Sequence, residues 1–164
     1  MPLPRRFLVA PVLTASLLAL TSCATTVTLP PAPDANDPLC AEVSVRLPQV
    51  VDGLDRRWTD AQATGAWGDP TRVILACGVP PPGPTTLECR TVEGVDWIID
   101  PDDAPNYRFT TYGRTPAVEV FLEYDPQTVS SANVLRAFAA AVSELPADGT
   151  CTPRVDDDPT DDAD

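Results

Sequence analysis

The sequence predicts an α+β domain of two layers: a mainly antiparallel sheet, covered by two helices and stapled by two disulfides. Three observations carry this expectation. Apolar residues recur at helical spacing at both ends of the central region, as Leu39, Val43 and Leu47 first and as Val134, Leu135, Phe138, Val142 and Leu145 last. Between these ends the apolar period drops to two, the signature of strands. Cys40, Cys77, Cys89 and Cys151 form an even set, which in an oxidising compartment reads as two disulfides.

The first helix opens at Asp37-Pro38, a capping carboxylate followed by a proline suited to the first helical position. Pro48 ends it, and Val50, Val51 and Leu54 are read as a further turn before Arg56-Arg57-Trp58. Residues 59–70 are small and polar and close on a turn at Gly68-Asp69-Pro70. Arg72 to Cys77 is apolar on both faces and predicts a central strand. A proline loop follows, and Thr86 to Val92 is read as the returning strand. Val95, Trp97 and Ile99 alternate with Asp96, Ile98 and Asp100. Tyr107 to Tyr112 and Ala117 to Tyr124 follow, the latter with Val118, Val120 and Leu122 on one face and Glu119 and Glu123 on the other. Asp125-Pro126 repeats the capping signal, and the second helix runs to about Leu145. Short connections make successive strands antiparallel neighbours.

The four cysteines allow three pairings. Cys77–Cys89, closing the loop around Pro80, Pro81, Pro82 and Pro84, together with Cys40–Cys151, joining the domain's start to its end, is the favoured one.

Ahead of this domain stands a secretory signal. Arg5 and Arg6 supply positive charge, and Phe7 to Leu20 is an apolar run too short to span a bilayer core of about 30 Å. It ends in Leu20-Thr21-Ser22-Cys23, a lipobox: two small residues admit the peptidase, and only a thiol accepts a diacylglyceryl thioether. The expected organisation is a signal peptide over 1–22, a lipidated Pro/Thr-rich tether over 23–37, the domain over 38–151 and a disordered acidic tail over 152–164. Two acyl chains on Cys23 would hold the protein on the outer face of the cytoplasmic membrane.

Composition excludes several functions. The net charge is −13, and removing Arg5 and Arg6 makes it −15, which disfavours nucleic acid as a partner. There is no His, and all eleven basic residues are Arg. Serine and cysteine nucleophiles therefore lack their usual base, and a Ser-Lys dyad has no Lys. No cofactor motif and no metal-ligand spacing is present. Asp96 and Asp100 share a strand face, but four residues along a strand is about 13 Å, too far for a carboxylate pair of the glycosidase kind. Trp58, Trp67 and Arg114 are the candidate binding residues, since aromatic and guanidinium groups suit a groove for a sugar or peptide. Trp97, between Val95 and Ile99, reads as core, and Arg114 has Glu119 or Glu123 as its expected partner.

Taken together, Ala66-Trp67-Gly68-Asp69-Pro70, Cys77-Gly78-Val79, Val92-Glu93-Gly94-Val95-Asp96-Trp97 and Tyr112-Gly113-Arg114-Thr115-Pro116-Ala117-Val118-Glu119-Val120 resemble an actinobacterial family of small secreted proteins or lipoproteins of unknown function, domain-of-unknown-function family 3515. The resemblance spans about residues 38–145. It implies the same domain boundaries and paired cysteines, and it carries over no functional residue. Some members are encoded beside an enzyme of D-alanyl-D-alanine synthesis, so the resemblance implies a cell-envelope role. The leading expectation is a non-enzymatic interaction module contacting an envelope protein or cell-wall component. The second is a module binding a small sugar, peptide or lipid ligand, and the third a carboxylate-based hydrolase.

Overall fold

The computed structural model describes residues 26–152. The expected signal peptide over 1–22, Cys23 and the expected acidic tail beyond Thr152 lie outside the described residues. Helix α1 spans Pro38–Val45, and its cap is the expected one: Asp37 Oδ1 accepts the Leu39 N–H at 2.8 Å, with Pro38 in the first turn. Cys40 and Val43 are its buried residues.

The chain after α1 departs from the expected helical turn. Val50–Val51 and Leu54–Arg57 are strands β1 and β2, joined at Asp52-Gly53. Both turn residues hold left-handed φ, 47° and 80°, the two-residue turn that Asp-Gly favours and that matches strand twist. A further strand, β3, occupies Thr64–Trp67 in the stretch read as small and polar, and all four of its residues are buried. Gly65 makes this possible, since a Cβ there would lie 2.5 Å from the folded-back Trp67 ring.

The remaining strands fall close to expectation: β4 Val73–Val79, β5 Glu88–Val92, β6 Val95–Asp100, β7 Tyr107–Thr111 and β8 Ala117–Leu122. They form one antiparallel sheet in the order β1-β2-β3-β4-β8-β7-β6-β5. The sheet is thus two meanders of four strands whose last members pair at the centre. Helix α2, Ser131–Val142, begins after the expected Asp125-Pro126. Asp125 instead heads a turn, its Oδ1 accepting the Gln127 N–H at 3.0 Å and its carbonyl the Val129 N–H at 2.9 Å.

Helix α2 ties down both outer hairpins. Asp52 Oδ2 accepts the Ser130 N–H at 2.6 Å, and its Oδ1 accepts from Asn133 Nδ2 at 2.9 Å. At the opposite edge Arg136 Nε donates to Glu93 at 3.1 Å, in the turn between β5 and β6. Both helices pack on one sheet face, against Val73, Leu75, Val95, Trp97, Val118 and Val120, all fully buried. Trp97 Nε1 is the buried side-chain polar atom without a hydrogen-bond partner among the described residues. Leaving such a donor unmet costs about 1–3 kcal/mol, which its ring burial must offset.

The disulfides are Cys40–Cys77 and Cys89–Cys151, with Cα separations of 5.5 and 5.8 Å, so the favoured pairing is corrected. The reason is topological. The proline loop is not a tight return: it carries the chain from β4, past the positions of β8, β7 and β6, to β5 at the sheet's edge. Four strand spacings amount to about 19 Å. Cys77 also shares the helix-facing side of β4 with Val73 and Leu75, while Cys89 pairs with Ile98 on the other side.

The expected tether is corrected in part. From Val27 the chain is seated on the domain. Val27 bridges to Thr59 in parallel, its N–H donating to the Trp58 carbonyl at 2.8 Å. Leu29 N–H donates to Asp60 Oδ1 at 3.0 Å, and Asp34 N–H to the Gly78 carbonyl at 2.9 Å. Gly78, at φ 95°, leaves its Cβ position to the backbone of Asp34 and Ala35, so the segment crosses the end of β4 on its way to α1.

Candidate functional site

The helices leave one sheet face open, and strand register determines what that face presents. One row across it runs Ala66, Ile74, Phe121, Arg108, Asp100; the next runs Thr64, Ala76, Glu119, Thr110, Ile98. Their central members form the floor of a groove of about 390 Å³. Ile74, Ala76 and Phe121 supply apolar surface, Arg108 and Glu119 stand at one side, and Leu29-Pro30-Pro31-Ala32 makes the opposite wall. Two prolines in that wall fix its backbone in an extended form with little left to lose on binding.

The polar side of the groove is held in place. Arg108 Nη1 donates to Glu119 Oε1 and its Nε to Asp103 Oδ2, each at 2.9 Å. The guanidinium carbon lies 5.1 Å from the centre of the Phe121 ring, within reach of a cation–π attraction. Burial works against the Arg108 charge, but Asp103 and Glu119 outweigh it and hold the pKa above its ordinary value. The groove therefore offers a short apolar shelf beside a guanidinium fixed between two carboxylates. Such a surface orients a ligand by one polar contact while burying its apolar part.

A second concavity on the same face, about 600 Å³, is wider and more polar. It lies over the Cys89–Cys151 disulfide, among Thr85, Thr91, Ile98 and Tyr112.

Trp58, Trp67 and Arg114 are not brought together, and none of them lines either concavity. Trp67 is fully buried: its Nε1 donates to the Pro48 carbonyl at 3.0 Å, and its ring centre lies 4.9 Å from that of Phe138. Arg114 is buried too, donating to the Leu145 carbonyl just beyond α2. Burial lowers its pKa, with Asp96 pulling the other way. The acids expected to pair with it have other partners, Glu119 with Arg108 and Glu123 with Arg72. Trp58 alone is exposed, at 76 %.

The groove residues Ile74, Arg108 and Phe121 were not singled out by the sequence. The available signal was Phe121 itself, an aromatic ring between Glu119 and Glu123 on the strand face otherwise given to charge.

The two strand carboxylates weighed in the sequence, Asp96 and Asp100, are engaged structurally. Asp96 accepts from Thr91 Oγ1 at 2.5 Å and from the Cys151 N–H at 2.8 Å, and Asp100 accepts the Asp102 N–H at 2.9 Å. Asp60 and Asp125 are both held below the usual carboxylate range, first by the backbone N–H of Leu29 and of Gln127 respectively. A general acid requires the opposite displacement. Among the described residues no group of three or more His, Cys, Asp or Glu is placed to hold a metal ion.

These features define a small disulfide-bonded α+β domain with one sheet face shielded by helices and the other open and grooved. The chain belongs to the family described as Protein of unknown function (DUF3515), whose model matches residues 4–149. No curated protein and no solved structure matches it.

Proposed function

We propose that this protein is a non-enzymatic binding module of the cell envelope, held by lipid on Cys23 at the outer face of the cytoplasmic membrane. Its binding surface is the groove on the open sheet face. The observation that carries the reading is the apolar floor of Ile74, Ala76 and Phe121 beside the Arg108–Glu119 pair. The ligand chemistry this favours is an aliphatic side chain or short acyl group bearing one hydrogen-bonding head. An extended segment of an envelope protein and a cell-wall peptide both supply it. The net charge of −13 makes nucleic acid an unsuitable partner.

Two measurements test the proposal. Cys23→Ala is expected to move the protein from the membrane fraction to the soluble fraction, and unchanged fractionation would remove the anchor. A photoreactive aromatic residue in place of Phe121 is expected to capture one defined envelope component in cells. The same residue in place of Val45, which is 77 % exposed on α1, serves as the control. Equal capture from both positions, or none from Phe121, would refute the groove.

A further inference from the structure

We infer that the edge of the domain carrying Trp58 rests in the membrane interface, with the Trp58 ring among the lipid headgroups. This rests on the proposed lipid attachment at Cys23. Four chain steps separate Cys23 from Val27, and at full extension they reach about 14 Å. Val27 is fixed to the domain beside Trp58, its N–H donating to the Trp58 carbonyl at 2.8 Å and its strand bridge pairing with Thr59. The spacer is therefore not the long tether that the proline-rich composition suggests. Trp58 is held within that short reach of a residue whose acyl chains sit in the hydrocarbon.

The side chain suits the place. Trp58 is 76 % exposed, whereas Trp67 and Trp97 are fully buried. In water an exposed indole forgoes most of the free energy of burying its ring, while at a bilayer surface its apolar body and N–H donor are both satisfied. The headgroup zone is several Å deep on each side of the hydrocarbon, enough for one ring. The neighbouring Asp55 and Asp60 are exposed carboxylates, so contact is driven by the ring and the anchor rather than by attraction to anionic lipid.

The test uses the lipidated full-length protein in phosphatidylcholine vesicles, with acyl chains either brominated or plain, and reads tryptophan emission. Trp67 and Trp97 supply a buried background. Brominated lipid is expected to abolish the Trp58 share of the emission, leaving the spectrum of Trp58→Phe, and Trp58→Phe itself should show no response. Mass spectrometry of the same sample reports the acyl mass on Cys23. Without that mass the anchor falls, and this inference with it. With the mass present, wild-type emission that ignores bromine and stays open to aqueous acrylamide overturns the inference alone. Shielding from acrylamide without bromine quenching, seen only after a protein partner is added, also overturns it and assigns the ring to that partner.

Discussion

Replacing Gly78 by alanine tests whether the segment from Val27 to Ala35 is built into the domain. Gly78 has φ 95°, and a Cβ there would lie 2.4 Å from the Asp34 carbonyl carbon and 2.5 Å from the Ala35 nitrogen. Holding a non-glycine residue in the left-handed region costs about 1–2 kcal/mol. Relieving the clash means lifting the crossing segment, which loses the Asp34-to-Gly78 hydrogen bond, worth about 1 kcal/mol. It also returns the buried Ala35 methyl to water, about 0.8 kcal/mol. The expected destabilisation of Gly78→Ala is therefore about 3–4 kcal/mol in urea unfolding. Two glycines serve as controls, since neither would place a Cβ within 4 Å of another atom. Gly53→Ala, at φ 80°, should cost only the backbone strain, about 1–2 kcal/mol. Gly83→Ala should be neutral or stabilise by about 0.5 kcal/mol. Hydrogen exchange across residues 27–36 should quicken in Gly78→Ala and not in the controls. Equal unfolding midpoints for Gly78→Ala and Gly53→Ala, with unchanged exchange, would refute the crossing.

The remaining expectations concern the disulfides and pH. Non-reducing peptide mapping should recover Cys40 joined to Cys77 and Cys89 joined to Cys151; a Cys77–Cys89 peptide would contradict the sheet order. With sequence separations of 37 and 62 residues, removing either pair as a double alanine variant should cost about 4 kcal/mol on the chain-entropy model. Asp60 is held below its ordinary range by the Leu29 N–H and then by Thr28, so its contribution is complete above the unfolded value of about 3.9 and is lost as pH falls through the folded one. Exchange protection at Leu29, corrected for intrinsic rates, should therefore hold from neutral pH down to about 4 and fall below it. Asp60→Asn should remove that acid step, and its persistence in the variant would show that another group governs it.

Much of this fold was legible because its strands obey local rules. The strands from Val73 to Leu122 announce themselves by alternation or by continuous apolar runs, and Asp37-Pro38 marks α1 through a bond its own side chain makes. β3 was not legible: Thr64-Gly65-Ala66-Trp67 has one β-branched residue, Thr64, beside two small ones, and its burial is supplied by contacts that nothing in the four residues encodes. Asp52-Gly53 was a readable hairpin signal, overridden by the apolar spacing of Val50, Val51 and Leu54. The cysteines were mispaired because a proline loop carries no local record of how far it travels. The groove was hidden for a related reason. Its floor is assembled by register across three strands and its wall by a segment some forty residues upstream of β4, a proximity that no single stretch states. Trp67 and Arg114 were misjudged because residue type alone does not say which way a side chain points.

The meeting of the two meanders at β4 and β8 has a bearing on synthesis. A chain emerges from its N-terminus, so β4 appears while β8, roughly forty residues behind, has yet to emerge. For that interval the longest strand of the sheet has one edge unmatched and apolar side chains on both sides, the state in which strands recruit one another between molecules. Cys40 and Cys77 are already out by then and can be joined, fixing α1 over β4 and shielding one side of it. Cys89 must wait for Cys151, and Asp52 and Glu93 for α2. The early crosslink is thus positioned to protect the nascent half, and the late one to seal the finished whole.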